Sequence, residues 1–337
     1  MMRQGRTWVF LKRPGIIAHV AVGGPKEKEG PLAQDFHKFY DDVYLGKKSY
    51  EEAERQLLID AMELALRQAK LAREDIDVFL SGDLLAQNIT ASFAARSFGQ
   101  PFLGLHGACS VSMEGLSLAA SLVDSGYALR VMTGTASHNL AAERTYRYPT
   151  EYGAQKPPTA QWTVTGAGVG IVSLEPTPLV IRAATVGRVI DLGLTDPMNM
   201  GAAMAPAAFE TIMTHLKDLG RTPNDYDLIV TGDLGRIGRN LLIEMLQKES
   251  IPFEEERFLD AGLMIYHSEQ EVFSGASGTA SSATVFYGHL LNQMEKGHID
   301  RLMMVATGAL MSPTTYQQGE SIPTIAHAVT VERVKEA

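Results

Sequence analysis

Cysteine is nearly absent from this chain: 337 residues hold one, Cys109. No internal disulfide can form, which fits a reducing, intracellular compartment. Long apolar runs are missing too. No stretch approaches the roughly 18 uninterrupted apolar residues of a membrane span, so work at a membrane would need other proteins to hold the chain there. The opening "MMRQGRTWVFLKRPG" is interrupted by Lys12, Arg13 and Pro14 too early for a signal-peptide core, and it reads as a first strand. Positive charge is also short. The net charge is −9 with Lys and Arg scattered, which argues against nucleic acid or an anionic bilayer as a direct partner. What is present is 45% apolar residues, enough for a sizeable globular core.

The chain also repeats itself. "LAREDIDVFLSGDLL" (Leu71 to Leu85) aligns without gaps on "RTPNDYDLIVTGDLG" (Arg221 to Gly235), matching Asp75, Asp77, Gly82, Asp83 and Leu84 with Asp225, Asp227, Gly232, Asp233 and Leu234 at an offset of 150. A looser echo relates "SLVDSGYALRVMTG" to "NQMEKGHIDRLMMVATG". Helical stretches, Tyr50 to Leu71 and Pro206 to Leu219, precede the paired segments. The pattern predicts two similar βα halves, 1–176 and 177–337. Strands alternating with helices predict mostly parallel sheets covered by helices, with ligands gathered at the carboxyl ends of strands. Ser81-Gly82-Asp83, Thr133-Gly134-Thr135 and Thr231-Gly232-Asp233 fall there, although such glycines also serve plain turns. "TGDLGRIG" and "TGAGVG" lack the spacing and placement of nucleotide loops.

The lone cysteine lies in "PFLGLHGACSVSMEGLSLAASLVDSG", where a short strand turns through His106, Gly107 and Ala108 into a helix ending at Gly126. A helix N-terminus favours a thiolate or an anion, and the alternative is a small buried hydrophobe. A nucleophilic cysteine needs a partner base, and His106 or His138 could approach. His106 and Cys109 have too few companions for a metal site. No G-x-S-x-G elbow supports a serine hydrolase.

A cysteine at a helix N-terminus in the first of two βα halves resembles the thiolase and β-ketoacyl synthase superfamily. "FSGASGTASS" looks like the glycine- and serine-rich motif that follows a thiolase catalytic histidine. The resemblance implies an α/β fold of two duplicated halves in a layered αβαβα core, with Cys109 as acyl carrier, and by analogy a homodimer. Two departures stand against turnover. The family histidine position falls on Val272, with His267 five residues earlier, and "MMVATGALMS" lacks the late cysteine. Within the superfamily the chain is most similar to the stage V sporulation AD family of endospore-forming bacteria, on "DFHKFYDDVYLGKKSYEEAE", "HGACS", "ASHN" and "AERTYRYPTEYGAQKPPTAQWTVTGAG".

That resemblance implies a non-catalytic protein that binds dipicolinic acid, with Ca2+ as a possible companion, and no cofactor. It also implies a peripheral place on the spore inner membrane beside the other stage V sporulation A channel proteins. The ligand set expected on it is Cys109, Thr135, Ser137, His138, Thr165, Gly166 and Ser277. A planar dicarboxylate wants donors or cations for its carboxylates and flat walls for its ring. Arg144, Arg147, Gln161 and Thr163 are further candidate donors, Lys156 adds local positive charge, and Tyr148, Tyr152 and Trp162 are candidate walls. Pro157 and Pro158 would stiffen this arch, which could equally pack at an interface. Asp83 or Asp233 could reach a calcium ion through water, although no calcium loop of recognisable type occurs. The competing expectation is an acyltransferase acting on coenzyme A thioesters with Cys109 as nucleophile.

Overall fold

The computed structural model describes residues 2–146, 156–249 and 251–334. Ten strands carry the architecture: β1 Gly15–Gly23, β2 Val78–Gly82, β3 Phe102–Gly104, β4 Arg130–Ser137, β5 Gly166–Ser173, β6 Leu179–Thr185, β7 Leu228–Thr231, β8 Phe258–Asp260, β9 Arg301–Ala309 and β10 Thr324–Arg333. The first five lie in the order β3-β2-β4-β5-β1 and the second five in the order β8-β7-β9-β10-β6. Each quintet has the same pairing directions, parallel, parallel, antiparallel, antiparallel, read from β3 and from β8. The expectation of mostly parallel sheets is therefore corrected. β5 and β10 each run antiparallel to both neighbours, whereas a helical crossover in the same sheet joins parallel strands. The opening segment forms a small hairpin, Met2–Gln4 with Thr7–Val9, whose second strand joins β6.

Seven helices complete the layers: α1 Tyr50–Ala69, α2 Ile89–Phe98, α3 Val111–Ser125, α4 Asn139–Tyr146, α5 Met200–Leu219, α6 Gly235–Lys248 and α7, residues 279–295, which contains a π turn at Val285–Leu290. α1 and α2 cover the outer face of the first sheet, and α5 and α6 cover that of the second. α3 packs on strands of both sheets and on α7, so the two helices form the middle of five layers. The sequence explains the outer helices well. Ser49 caps α1 by accepting the Glu52 amide at 3.2 Å, and Leu57, Leu58, Ala61, Met62 and Ala65 recur at helical spacing on its buried face. Each large apolar side chain among them contributes about 1.5–3 kcal/mol by leaving water. α5 begins at Met200, not at Pro206, which sits inside it. Burial of that helix among Ile212, Leu216, Ile229 and Ala328 offsets the hydrogen bond the proline cannot make.

The repeat extends to hydrogen bonds. Asp77 Oδ2 accepts the amides of Leu129 and Arg130, and Asp227 Oδ2 those of Asp300 and Arg301. Asp75 and Asp225 close the preceding turns in the same way, from Ala72 and Thr222.

Candidate functional site

Cys109 lies in a short 3-10 turn, Ala108–Ser110, between β3 and α3. Ala108 before it is held at φ 49°, a left-handed conformation that costs a non-glycine residue roughly 1 kcal/mol or more and collects at functional sites. The turn is wedged against β9: a Cβ on Gly308 would stand 2.2 Å from the Gly107 carbonyl oxygen. Glycine is needed there for the close approach, and the approach fixes where the sulfur points.

It points into a cavity of about 360 Å³. Its lining mixes polar residues, among them Asp83, Asn88, His106, Cys109, Thr163 and Ser277, with apolar ones such as Leu85, Ala142, Pro197, Met200, Leu310 and Met311. The lining includes the segment after β2, where Gln87 and Asn88 both have positive φ, and Leu310, Met311, Ser312 and Thr315 after β9. Asn88 ties Asp83, Leu105 and His106 together. Its Oδ1 accepts the Asp83 amide at 3.3 Å, its Nδ2 donates to the Leu105 carbonyl at 2.8 Å, and the His106 ring lies 3.2 Å away.

Acids dominate the electrostatics. Asp83 is pushed up to about 6 by burial, against hydrogen bonds from the amides of Ala91, Leu85 and Thr90. Behind it Glu54, fully buried, is raised by desolvation and then by the Asp83 charge. Asp233 is pushed up to about 7, chiefly by burial, while Thr307 and the Cys109 thiol hydrogen-bond to it and pull the other way. The Thr307 hydroxyl donates at 2.7 Å and the Gly278 amide at 3.3 Å. Among the described residues, neither lysine nor arginine lines the cavity.

Cys109 and Ser277 therefore share the cavity, as do the candidate donor Thr163 and Asp83, whereas Thr135, Ser137, His138, Thr165 and Gly166 do not line it. Thr135 donates to the Gly82 carbonyl at 2.6 Å and Ser137 to that of Val164 at 2.7 Å; both are inside the first sheet. His138 is buried, with its Nε2 2.7 Å from the Val43 carbonyl and its Nδ1 accepting the Leu140 amide. Burial lowers its pKa, so it is a neutral structural ring stacked on Tyr50. His138 and Thr165 line a separate slot of about 200 Å³ with Trp162. Gly166 opens β5, paired with Gly23 and Ser137. Gln161 donates to the carbonyls of Asp233 and Ala276. Arg144 reaches Glu51 at 3.7 Å, and Lys156 pairs with Glu143. Arg147, Tyr148 and Tyr152 lie outside the described residues. His267 and Val272 line another cleft, and Cys109 does not.

Asn88, Pro197, Met200 and Met311 were not anticipated. They come from four separate loops or helix starts, and nothing local in the sequence joins them. Among the described residues no group of His, Cys, Asp and Glu suits a metal ion, and no helix is long and apolar enough to cross a membrane.

Two mirrored five-strand sheets around a central helix layer, with a cysteine before the middle helix, define a thiolase-fold protein. Solved structures agree on the fold: 3-oxoacyl-[acyl-carrier-protein] synthase III from Aquifex aeolicus is 16% identical with a TM-score of 0.57, covering 95% of this chain and 99% of that one. An OleA variant from Xanthomonas campestris is 16% identical with a TM-score of 0.61, covering 96% and 100%. Within that fold the assignment is specific. The family profile described as Stage V sporulation protein AD (SpoVAD) matches residues 4–332, and the Stage V sporulation protein AD of Bacillus subtilis is 51% identical over 328 residues, 97% of each chain. The chain belongs to the stage V sporulation protein AD family, and so to the sporulation proteins.

Proposed function

We propose that this protein binds dipicolinic acid without turning it over, taking it as its calcium chelate in the cavity beside Cys109. It would serve as the peripheral binding component of a channel at the spore inner membrane, docked on the membrane-embedded stage V sporulation A proteins and paired as a homodimer. The observation that carries the binding reading is the cavity itself: lined by polar and apolar residues together, with a carboxylic acid where a nucleophilic cysteine would need a base. Its size falls in the range of small-molecule sites, about 300–1,000 Å³.

The charge of the lining favours the chelate over the free dianion. With no lysine or arginine among the described lining residues, a doubly negative ligand beside Asp83 would be left uncompensated, whereas a calcium ion held by the two ligand carboxylates brings the charge to neutral and gives Asp83 a cation to face. The competing reading is an acyltransferase with Cys109 as nucleophile, which the thiolase fold alone favours. Calorimetry with dipicolinate, with and without calcium, and with benzoate as a planar monoanion tests the proposal. Saturable binding of dipicolinate strengthened by calcium, and none of benzoate, is expected. No heat under any condition, together with a stable acyl adduct on Cys109 from a coenzyme A thioester, would replace binding by catalysis.

A further inference from the structure

The two halves place equivalent aspartates at equivalent strand ends, yet they have different tasks. Asp83 accepts two amides of its own loop, Leu85 on one oxygen and Ala91 on the other, each at 2.8 Å, which leaves a lone pair on each oxygen. In the second half that task passes to Asp260, whose oxygens accept the amides of Leu234 and Gly235 at 2.9 Å. Asp233 is thereby released from its loop. It crosses to the first half and meets the thiol of Cys109, held by Thr307 on β9 and by the Gly278 amide at the start of α7.

We propose that Asp233 is a positioning residue: it takes the Cys109 proton in a hydrogen bond, holds the cysteine as a neutral thiol, and so withholds the nucleophile that this position would otherwise supply. The inference deepens the binding reading above and takes its functional meaning from it.

The physical argument is a contest between two effects on one sulfur. Lying one residue before the cap of a fifteen-residue helix, Cys109 feels the positive end of the helix dipole, which favours the thiolate. Against that stands the carboxyl group of Asp233, itself buried and hydrogen-bonded to the thiol. A thiolate there would lose its hydrogen-bond acceptor and face a second negative charge at low dielectric. Among the described residues no basic side chain is placed to reverse the outcome: the imidazole that lines the cavity, His106, is exposed and lies against Asn88. The contact therefore outweighs the dipole. A thiol so held still suits a binding wall, because it is small, uncharged and fixed in direction.

The chain has one cysteine, so alkylation of the native full-length protein by iodoacetamide reports on Cys109 without background. The midpoint of the rate against pH reads thiol ionisation and is independent of how freely the reagent enters. The wild-type midpoint is expected above the ordinary thiol value of about 8.5. In Asp233→Asn it should fall by about one unit or more, which raises the rate at pH 7.5 roughly tenfold. A merely structural role for Asp233 would lower the melting temperature and leave the midpoint in place. A wild-type midpoint at or below about 8.5 overturns the proposal even if the variant does not fold, as does an unmoved midpoint in a folded Asp233→Asn. Neither readout uses dipicolinate, so failure of this inference and failure of the binding reading are separate results.

Discussion

Lys156 Nζ lies 2.9 Å from Glu143 Oε1, and neither side chain is open to water. The pair joins α4, which leads out of the first sheet, to the segment that returns toward β5, and the Trp162 ring lies 5.6 Å from the same ammonium. Removing one member of such a pair strands the other charge in the interior, which costs about 3–5 kcal/mol, whereas replacing both by apolar residues is often neutral. Lys156→Ala is expected to lower the unfolding free energy by that amount in a urea titration. Lys156→Met with Glu143→Leu should recover most of it, and equal losses in the single and double variants would contradict a paired role.

Histidine burial in the second half makes a different prediction. His215 accepts or donates to Thr185 Oγ1 at 2.6 Å and Thr330 Oγ1 at 2.7 Å, and burial pushes its pKa down to about 3, with the Arg221 charge adding to the effect. The unfolded chain binds the proton near pH 6.5 and the folded one does not, so this residue's contribution is complete above about 6.5 and is lost progressively as pH falls toward 3. Between pH 7 and pH 5 it accounts for about 2 kcal/mol of lost stability. Raised carboxyls such as Asp233 and Asp260 act in the opposite sense, so the measurement is a difference. His215→Asn should lose about 2 kcal/mol less than wild type over that interval, and parallel losses would refute the assignment.

Much of this architecture was legible from the residues, and the legible parts share a cause. Asp75, Asp77 and their partners Asp225 and Asp227 bond to amides fixed by the local turn and the next strand, so a duplicated sequence carries a duplicated structure. Cys109 at the entry to a helix was readable for the same reason. The places of His138 and Thr135 away from the Cys109 cavity were not legible, because strand-end polar residues serve sheet interiors as readily as ligands and the pattern does not say which way a side chain faces. Asp233 carries the same sequence signature as Asp83, yet Asp260, on another strand, changes its role. That kind of information exists only when three strands are brought together.

Gly308 tests how tightly the cavity is built. A Cβ there would meet the Gly107 oxygen at 2.2 Å and the Ser110 nitrogen at 3.2 Å, both backbone atoms of the turn that carries Cys109. Neither can rotate away, so Gly308→Ala must shift the turn, and overpacking of this kind costs about 1–3 kcal/mol. The expected result is a lower melting temperature together with weaker dipicolinate binding. A variant that melts lower but binds normally would show that Cys109 does not border the ligand.

Asp83 gives the sharpest test of the chelate. Its carboxyl is pushed up to about 6, chiefly by burial, so it is mostly protonated below that pH and mostly charged above it. Only the charged form can face a cation, and the affinity for calcium with dipicolinate should therefore decline as pH is lowered from 7 through 6. Asp83→Asn removes both the charge and the titration: calcium should no longer strengthen binding, and the residual affinity should be flat with pH between 5.5 and 7. Glu54 lies behind Asp83 and is raised partly by its charge, so the same substitution should bring Glu54 closer to its ordinary value without giving it access to the ligand. Calorimetry at three pH values decides the matter. If calcium still strengthens dipicolinate binding in Asp83→Asn with the wild-type pH dependence, the cation is held elsewhere and the acidic lining has another purpose.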